Sequence, residues 1–317
     1  VNNTRNVLKN EALLYKNPQL APSLILFFTV ALWGVFWLPL RTIEAAGISG
    51  VWAVFAINVV PLLFLLPLIV YRRKSLLTDL KTKTIVGIAF GGGMAFYAIA
   101  FLYTSILRTT LLFYMSPIWA TLLAMFILHE KINISRWIAI ATGFAGLLLI
   151  LSEKSGLAFS TGLNRGDLFA LVSGLFWGVG TVVVKKSGEI PAIDLVPGQY
   201  LWSTLIALAV LLTTVGNVDF QIPDYQQWVQ AMPLVFGFYV LIVLPTIIIC
   251  TRISQILSPG RVCLLMMSEV LVAGISAPIL AGESISAIEL IAGLLIIAAT
   301  VIEVYGGTIE TKVKAQP

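Results

Sequence analysis

Two stretches decide the fold: RTTLLFYMSPIWATLLAMFILHE at residues 108–130 and RVCLLMMSEVLVAGISAPILAGE at residues 261–283. Each opens on an arginine and closes on a glutamate 22 residues later, Arg108 to Glu130 and Arg261 to Glu283. Between the charges each is almost wholly apolar. About 20 such residues, wound as a helix, cross the hydrocarbon core of a bilayer. The exits also match, Leu128-His129-Glu130-Lys131-Ile132 against Ala281-Gly282-Glu283-Ser284-Ile285. The two spans are therefore copies of one another, 153 residues apart. A second pair lies upstream. Leu32-Trp33-Gly34 and Phe176-Trp177-Gly178 are 144 residues apart, and each tryptophan is followed eight residues later by a basic residue, Arg41 and Lys185. A loop insertion between the pairs accounts for the difference in offset.

Working outward, the chain of 317 residues is 59% hydrophobic and only 11% charged. Soluble domains carry about 25% charged residues. Ten apolar stretches follow one another near 22–42, 50–71, 84–105, 108–128, 135–152, 166–185, 195–214, 231–250, 258–280 and 285–306. The expected fold is an all-α polytopic membrane protein of ten transmembrane helices. No alternation of the kind a membrane barrel needs is present. The first apolar run is too long for the core of a signal peptide and reads as the first span.

Placing the amino terminus inside puts sixteen lysines and arginines on the inner side and four on the outer, Arg41, Arg108, Lys154 and Arg165. Basic residues collect on cytoplasmic loops. Both termini are thus expected in the cytoplasm, with the chain in the cell's inner (plasma) membrane. The net charge of +5 belongs to this bias and not to nucleic-acid binding. Cys250 and Cys263 lie in or beside apolar runs and read as small core residues, with no metal or cofactor motif near them.

Five spans per half is an odd number, so the second half enters the bilayer upside down relative to the first. The organisation is a segment 1–21, a first five-helix repeat 22–152, a connection 153–165, a second repeat 166–306 and a tail 307–317. Inverted repeats of this kind mark secondary transporters, with the substrate near the midplane between the halves. With a WG in the first helix of each half and an L-x-E-x-I-like exit from the fourth, the chain resembles the drug/metabolite transporter superfamily, EamA type. The resemblance implies a ten-helix carrier, often an exporter of amino acids or other small metabolites. Relatives place an arginine early in the second helix; here Asn58 stands in that region.

Glu269 is the most informative single residue. It lies mid-span in Met266-Met267-Ser268-Glu269-Val270. A charge at the bilayer centre costs at least about 2.5–3.5 kcal/mol, so it must face a cavity or a partner. It can bind a cationic group of a substrate, carry a proton, or simply bond to a neighbouring helix. The aromatic residues Trp33, Trp37, Tyr97, Tyr114, Trp177, Tyr200 and Tyr239 are candidates for an organic-cation cage around it. Helix packing and interfacial anchoring are their ordinary alternatives. The amides Asn58 and Gln199 occupy corresponding second and seventh spans; substrate contact and interhelical bonding are both open to them. Arg108, Glu130, Arg261 and Glu283 are candidates for gate ion pairs or for interface anchors.

The expected activity is secondary active transport of small polar or amphipathic solutes, amines or amino acids, with protons coupled through Glu269. The direction, export, comes from the resemblance alone. No phosphate-binding loop is present, so ATP does not power it. A channel or a scaffold without transport is the alternative. An intramembrane enzyme is disfavoured by the single histidine, His129, and by the lack of any catalytic motif.

Overall fold

The computed structural model describes residues 18–35, 37–48, 50–104, 106–155, 164–214, 221–281 and 287–314. Among the described residues the chain is helical, with no strand. The helices fall into ten successive segments. Helix α1 runs Leu20–Ala31, tightens to a 3-10 turn at Leu32–Val35 and resumes over Trp37–Ala45. Helix α2 is Gly50–Phe64 with Leu66–Tyr71, and α3 is Leu80–Ala100. Helix α4 is split into Ile106–Phe113 and Ser116–Ile127; α5 is Ile134–Ser155. Then come α6, Arg165–Lys186, and α7, Ala192–Thr214. Helix α8 comprises Tyr225–Leu234, a π-helical stretch Val235–Val243 and Leu244–Ile256. Helix α9 is split into Pro259–Leu265 and Ser268–Ala281, and α10 is Ala287–Lys314.

The interruptions have local causes. Pro117 lacks an N–H for the carbonyl four residues back, so α4 breaks ahead of it at Tyr114–Met115. Pro245 does the same to Leu241, and α8 widens just before it: the Leu244 N–H reaches back five residues to Tyr239 O. In α9 no proline marks the break. The chain tightens instead, with Met267, Glu269 and Val270 N–H groups each bonding three residues back at 3.1 Å. The breaks in α4 and α9 fall within one residue of equivalent places in the two halves.

Helix pairings show the repeat directly. Helix α3 lies against α6 and α7, as α8 lies against α1 and α2. Helix α4 meets α6, as α9 meets α1, while α5 pairs with α10, α2 with α7 and α4 with α9. Moving five places along the chain maps this set on to itself. The core between the halves includes Val86, Phe90, Tyr114, Trp177, Tyr200 and Met266. The outer surface is apolar, with Phe28, Phe126 and Leu294 widely exposed, as lipid contact requires.

Small residues set the closest approaches. Gly87 and Gly91 of α3 let the α7 backbone in: a Cβ on Gly91 would stand 2.8 Å from Ser203 N. Such contacts replace the hydrophobic drive that lipid cannot supply. Charged groups gather at the helix ends that alternation predicts. At one end Asp194 accepts from Arg72 and, at 2.6 Å, from Ser75 Oγ. At the same end Lys185 Nζ donates to the carbonyls of Gln255 and Ile256 at the close of α8. The opposite end holds Asn164 and Asp167, which cap α6 reciprocally and bond to Thr104.

Candidate functional site

The three breaks at Leu32–Val35, Tyr114–Met115 and Met266–Met267 bring α1, α4 and α9 together around Glu269. Glu269 sits in the first turn of the second segment of α9, where helix N–H groups favour a negative charge. Ser268 and Met267 beside it are fully buried, whereas Glu269 itself is half-buried. Its side chain is thus less tightly enclosed than its neighbours in the helix. Tyr97 Oη donates to Glu269 Oε1 at 3.4 Å, the long limit of a hydrogen bond. Tyr114 also stands at the carboxylate, but its hydroxyl donates to the Met266 carbonyl at 3.0 Å. Among the described residues no lysine or arginine forms an ion pair with Glu269.

Aromatic rings make the wall behind. Trp33 and Trp177, the two WG tryptophans, meet edge to face with centroids 6.0 Å apart. Trp177 is buried; it packs on Phe90 at 4.7 Å and Phe113 at 6.0 Å, and its Nε1 donates to Met266 Sδ at 3.0 Å. Trp33 and Tyr97 stay half-buried. Trp33 Nε1 donates to Thr246 Oγ1 at 2.6 Å, tying the α1 turn to α8 one residue past Pro245. Tyr97 stacks at a tilt on Phe113, 4.5 Å away. Edge-to-face contacts of this kind fix ring orientation, each by about 0.5–1.5 kcal/mol beyond burial.

The remaining predicted residues lie elsewhere. Asn58 accepts from Ser203 Oγ at 2.5 Å and donates to Val54 O at 2.7 Å, and Gln199 Nε2 donates to Thr251 Oγ1 at 3.1 Å. Both amides are buried and bond across the α2–α7 and α7–α8 contacts. Tyr200 is buried with no hydrogen-bond partner for its hydroxyl among the described residues. Tyr239 is buried against Phe238. The side chains of Trp37 and Arg108, and the whole of Glu283, lie outside the described residues. Arg261 and Glu130 do come to the same end of the molecule, joined through Arg136 and Glu303.

Several site neighbours carry no signal of their own in sequence. Thr246, Phe113, Phe90 and Met266 are ordinary residues of apolar runs and matter only through the breaks beside them. Glu303 was legible in principle. It is an acid in an apolar span, the criterion that selects Glu269.

The chain is similar to several known proteins. A riboflavin transporter of Vibrio cholerae serotype O1 is 30% identical over 113 residues, 35% of this chain and 33% of that protein. An uncharacterized transporter of Bacillus subtilis, YoaV, is 27% identical over 207 residues, 63% of this chain and 68% of that protein. The match thus spans a third of the first relative and about two thirds of the second. A crystal structure of 17% identity superimposes with a TM-score of 0.65 over 89% of this chain and 96% of that one, a likeness of fold alone. The EamA-like transporter family matches twice, at residues 21–152 and 164–305. This chain belongs to the EamA-like transporter family, within the drug/metabolite transporter superfamily, and is a multi-pass membrane protein.

Proposed function

We propose that the chain is a secondary carrier that exports small amphipathic solutes bearing a basic nitrogen, in exchange for protons. The observation that carries this is Glu269. It lies at mid-span, is only half-buried, meets a tyrosine hydroxyl, and has no ion-pair partner among the described residues. A bare carboxylate at the bilayer centre is costly. Either a proton or a substrate ammonium removes that cost, and both cannot do so at once. Binding one releases the other, which is the requirement for antiport. The half-buried faces of Trp33 and Tyr97 suit the cation or its apolar body, at about 0.5–2 kcal/mol per favourable cation–ring contact.

The halves 22–152 and 166–306, joined by 153–165, rock against one another to give alternating access. With the lysine- and arginine-rich end cytoplasmic and the chain in the plasma membrane, an inward proton gradient drives export. A second reading follows from the relative described as a riboflavin transporter. A planar heteroaromatic cargo would use the same ring wall and would leave the carboxylate to the proton alone.

Counterflow in proteoliposomes separates these. Labelled amines and amino acids are expected to exchange, and an imposed pH gradient to accumulate them. Glu269→Gln is expected to abolish accumulation. Exchange of riboflavin with all amines inert would replace the first reading by the second. A Glu269→Gln protein that still accumulates solute on a pH gradient would remove Glu269 from both.

A further inference from the structure

The basic end of the molecule holds a buried ion network set among apolar residues such as Val262 and Leu257. Arg261 of α9 donates from Nε to Glu303 Oε1 at 3.2 Å and from Nη2 to the Glu303 carbonyl at 2.9 Å. Arg136 of α5 reaches the same carboxylate from the first half, Nη2 to Oε1 at 3.0 Å. It also donates to Ser258 Oγ at 2.8 Å and stands 3.7 Å from Glu130. Arg261 Nη1 donates to Gln19 Oε1 at 2.5 Å, bringing in the start of α1. Arg261 and Glu303 are each 2% exposed. One buried carboxylate thus holds an arginine from each half.

Burying such a network gains little over hydrating its members, because desolvation offsets most of the attraction. Losing one partner is different, since an uncompensated buried charge remains. A contact of this kind is near balance between closed and open, which a gate needs and an apolar seal does not supply. Glu303 itself has no counterpart in the first half: the 153-residue offset puts Ile150 at the equivalent place.

We propose that Glu303 is the pivot of a gate at the basic end, clasping Arg136 and Arg261 while that end is shut and releasing them to water when it opens. The proposal takes alternating access from the carrier reading. Its test needs no substrate, so the two can fail separately.

Cys263, two residues past Arg261 and fully buried, is the reporter. In a Cys250→Ala background in nanodiscs, its rate of reaction with a charged maleimide reads how often the gate opens. Glu303→Gln leaves two arginines with too little counter-charge, so opening is favoured and labelling rises roughly tenfold. The paired change Arg261→Met with Glu303→Leu removes ions that gain hydration on opening. It keeps the end shut, so labelling falls below the parent. A merely structural role would not give opposite signs. Labelling that moves the same way in both variants, or in neither, overturns the proposal. Misfolding of Glu303→Gln alone leaves the paired variant to decide, and faster labelling there refutes the gate.

Discussion

At the scale of single residues, the two tyrosines beside Glu269 do different work. The Tyr114 hydroxyl binds the Met266 carbonyl and so braces the α9 break. That carbonyl also accepts from Glu269 N–H and is not orphaned without the tyrosine. Tyr114→Phe is therefore expected to cost about 0.6 kcal/mol, a typical membrane hydrogen bond, and to lower Tm by about 2 °C. Tyr97 donates to the carboxylate itself. Without that donor the empty site is less well satisfied, while the occupied site is little changed. Tyr97→Phe should lower the Tm of the empty protein by a similar amount but, unlike Tyr114→Phe, lower KM for an amine about threefold, with a parallel fall in kcat as release slows. Equal effects of the two changes on KM would contradict this division. Sequence singled out Glu269 by the cost of its charge, and Trp33 and Trp177 by repetition. It left Asn58 and Gln199 open between two roles; the structure engages both with neighbouring helices, through Ser203 and Thr251. Polarity alone cannot say which way an amide in a helix points.

At the scale of elements, the halves share a plan but differ in tightness. Helix α3 is regular and meets α7 backbone to backbone through Gly87 and Gly91. Its counterpart α8 carries the π-helical stretch Val235–Val243, and a Cβ on Gly237 would meet nothing within 4 Å. An apolar groove of about 540 Å³ opens beside it, lined by Val60, Trp228, Met232 and Phe236 among others. None of the predicted site residues lines that groove. π-Helical turns are costly and persist mostly where function uses them. The α8 column, tied to Trp33 through Thr246, is thus the more adaptable wall of the site. Gly91→Ala is expected to destabilise by about 1–3 kcal/mol through overpacking and to lower Tm by roughly 5 °C. Gly237→Ala should do the reverse, gaining up to about 1 kcal/mol in helix propensity while slowing transport by stiffening α8. Calorimetry and initial-rate exchange on the two proteins check this. A destabilised Gly237→Ala would show the stretch to be packed after all. Of these features Pro245 was legible in sequence as a break, but its widening into π-helix was not. A proline removes one hydrogen bond and leaves the helix several ways to respond. The α9 break has no proline and no local sequence cause, so only its repeat partner in α4 hinted at it.

At the scale of the whole molecule, the ten-span pattern and the repeat were legible because a bilayer imposes one length on every span and because two copies of a sequence check each other. The matched arginines and glutamates at 108, 130, 261 and 283 fixed the register without any structure. What the charges do at the gate was not legible, since it depends on α5 and α10 meeting at Arg136 and Glu303 across 167 residues of chain. Orientation is the property of the whole that remains to be read out, and the charge distribution makes a definite prediction. Arg72, Lys83, Arg136, Lys185 and Arg261 all hold partners at one end. The other end presents Asp167, Asp224 and Gln227, used as helix caps. A cytoplasmic basic end follows from the bias of short loops toward lysine and arginine. Lys81 and Gln221 are exposed residues at the two ends. In a background with Cys250 and Cys263 replaced, Lys81→Cys should react with a membrane-impermeant maleimide only in inside-out vesicles, and Gln221→Cys only in intact cells. The opposite pattern would reverse the topology, and with it the direction in which an inward proton gradient drives the solute. Neither Glu269 nor the Glu303 gate would need to move for that reversal, because both are defined by the fold and not by the side of the membrane it faces.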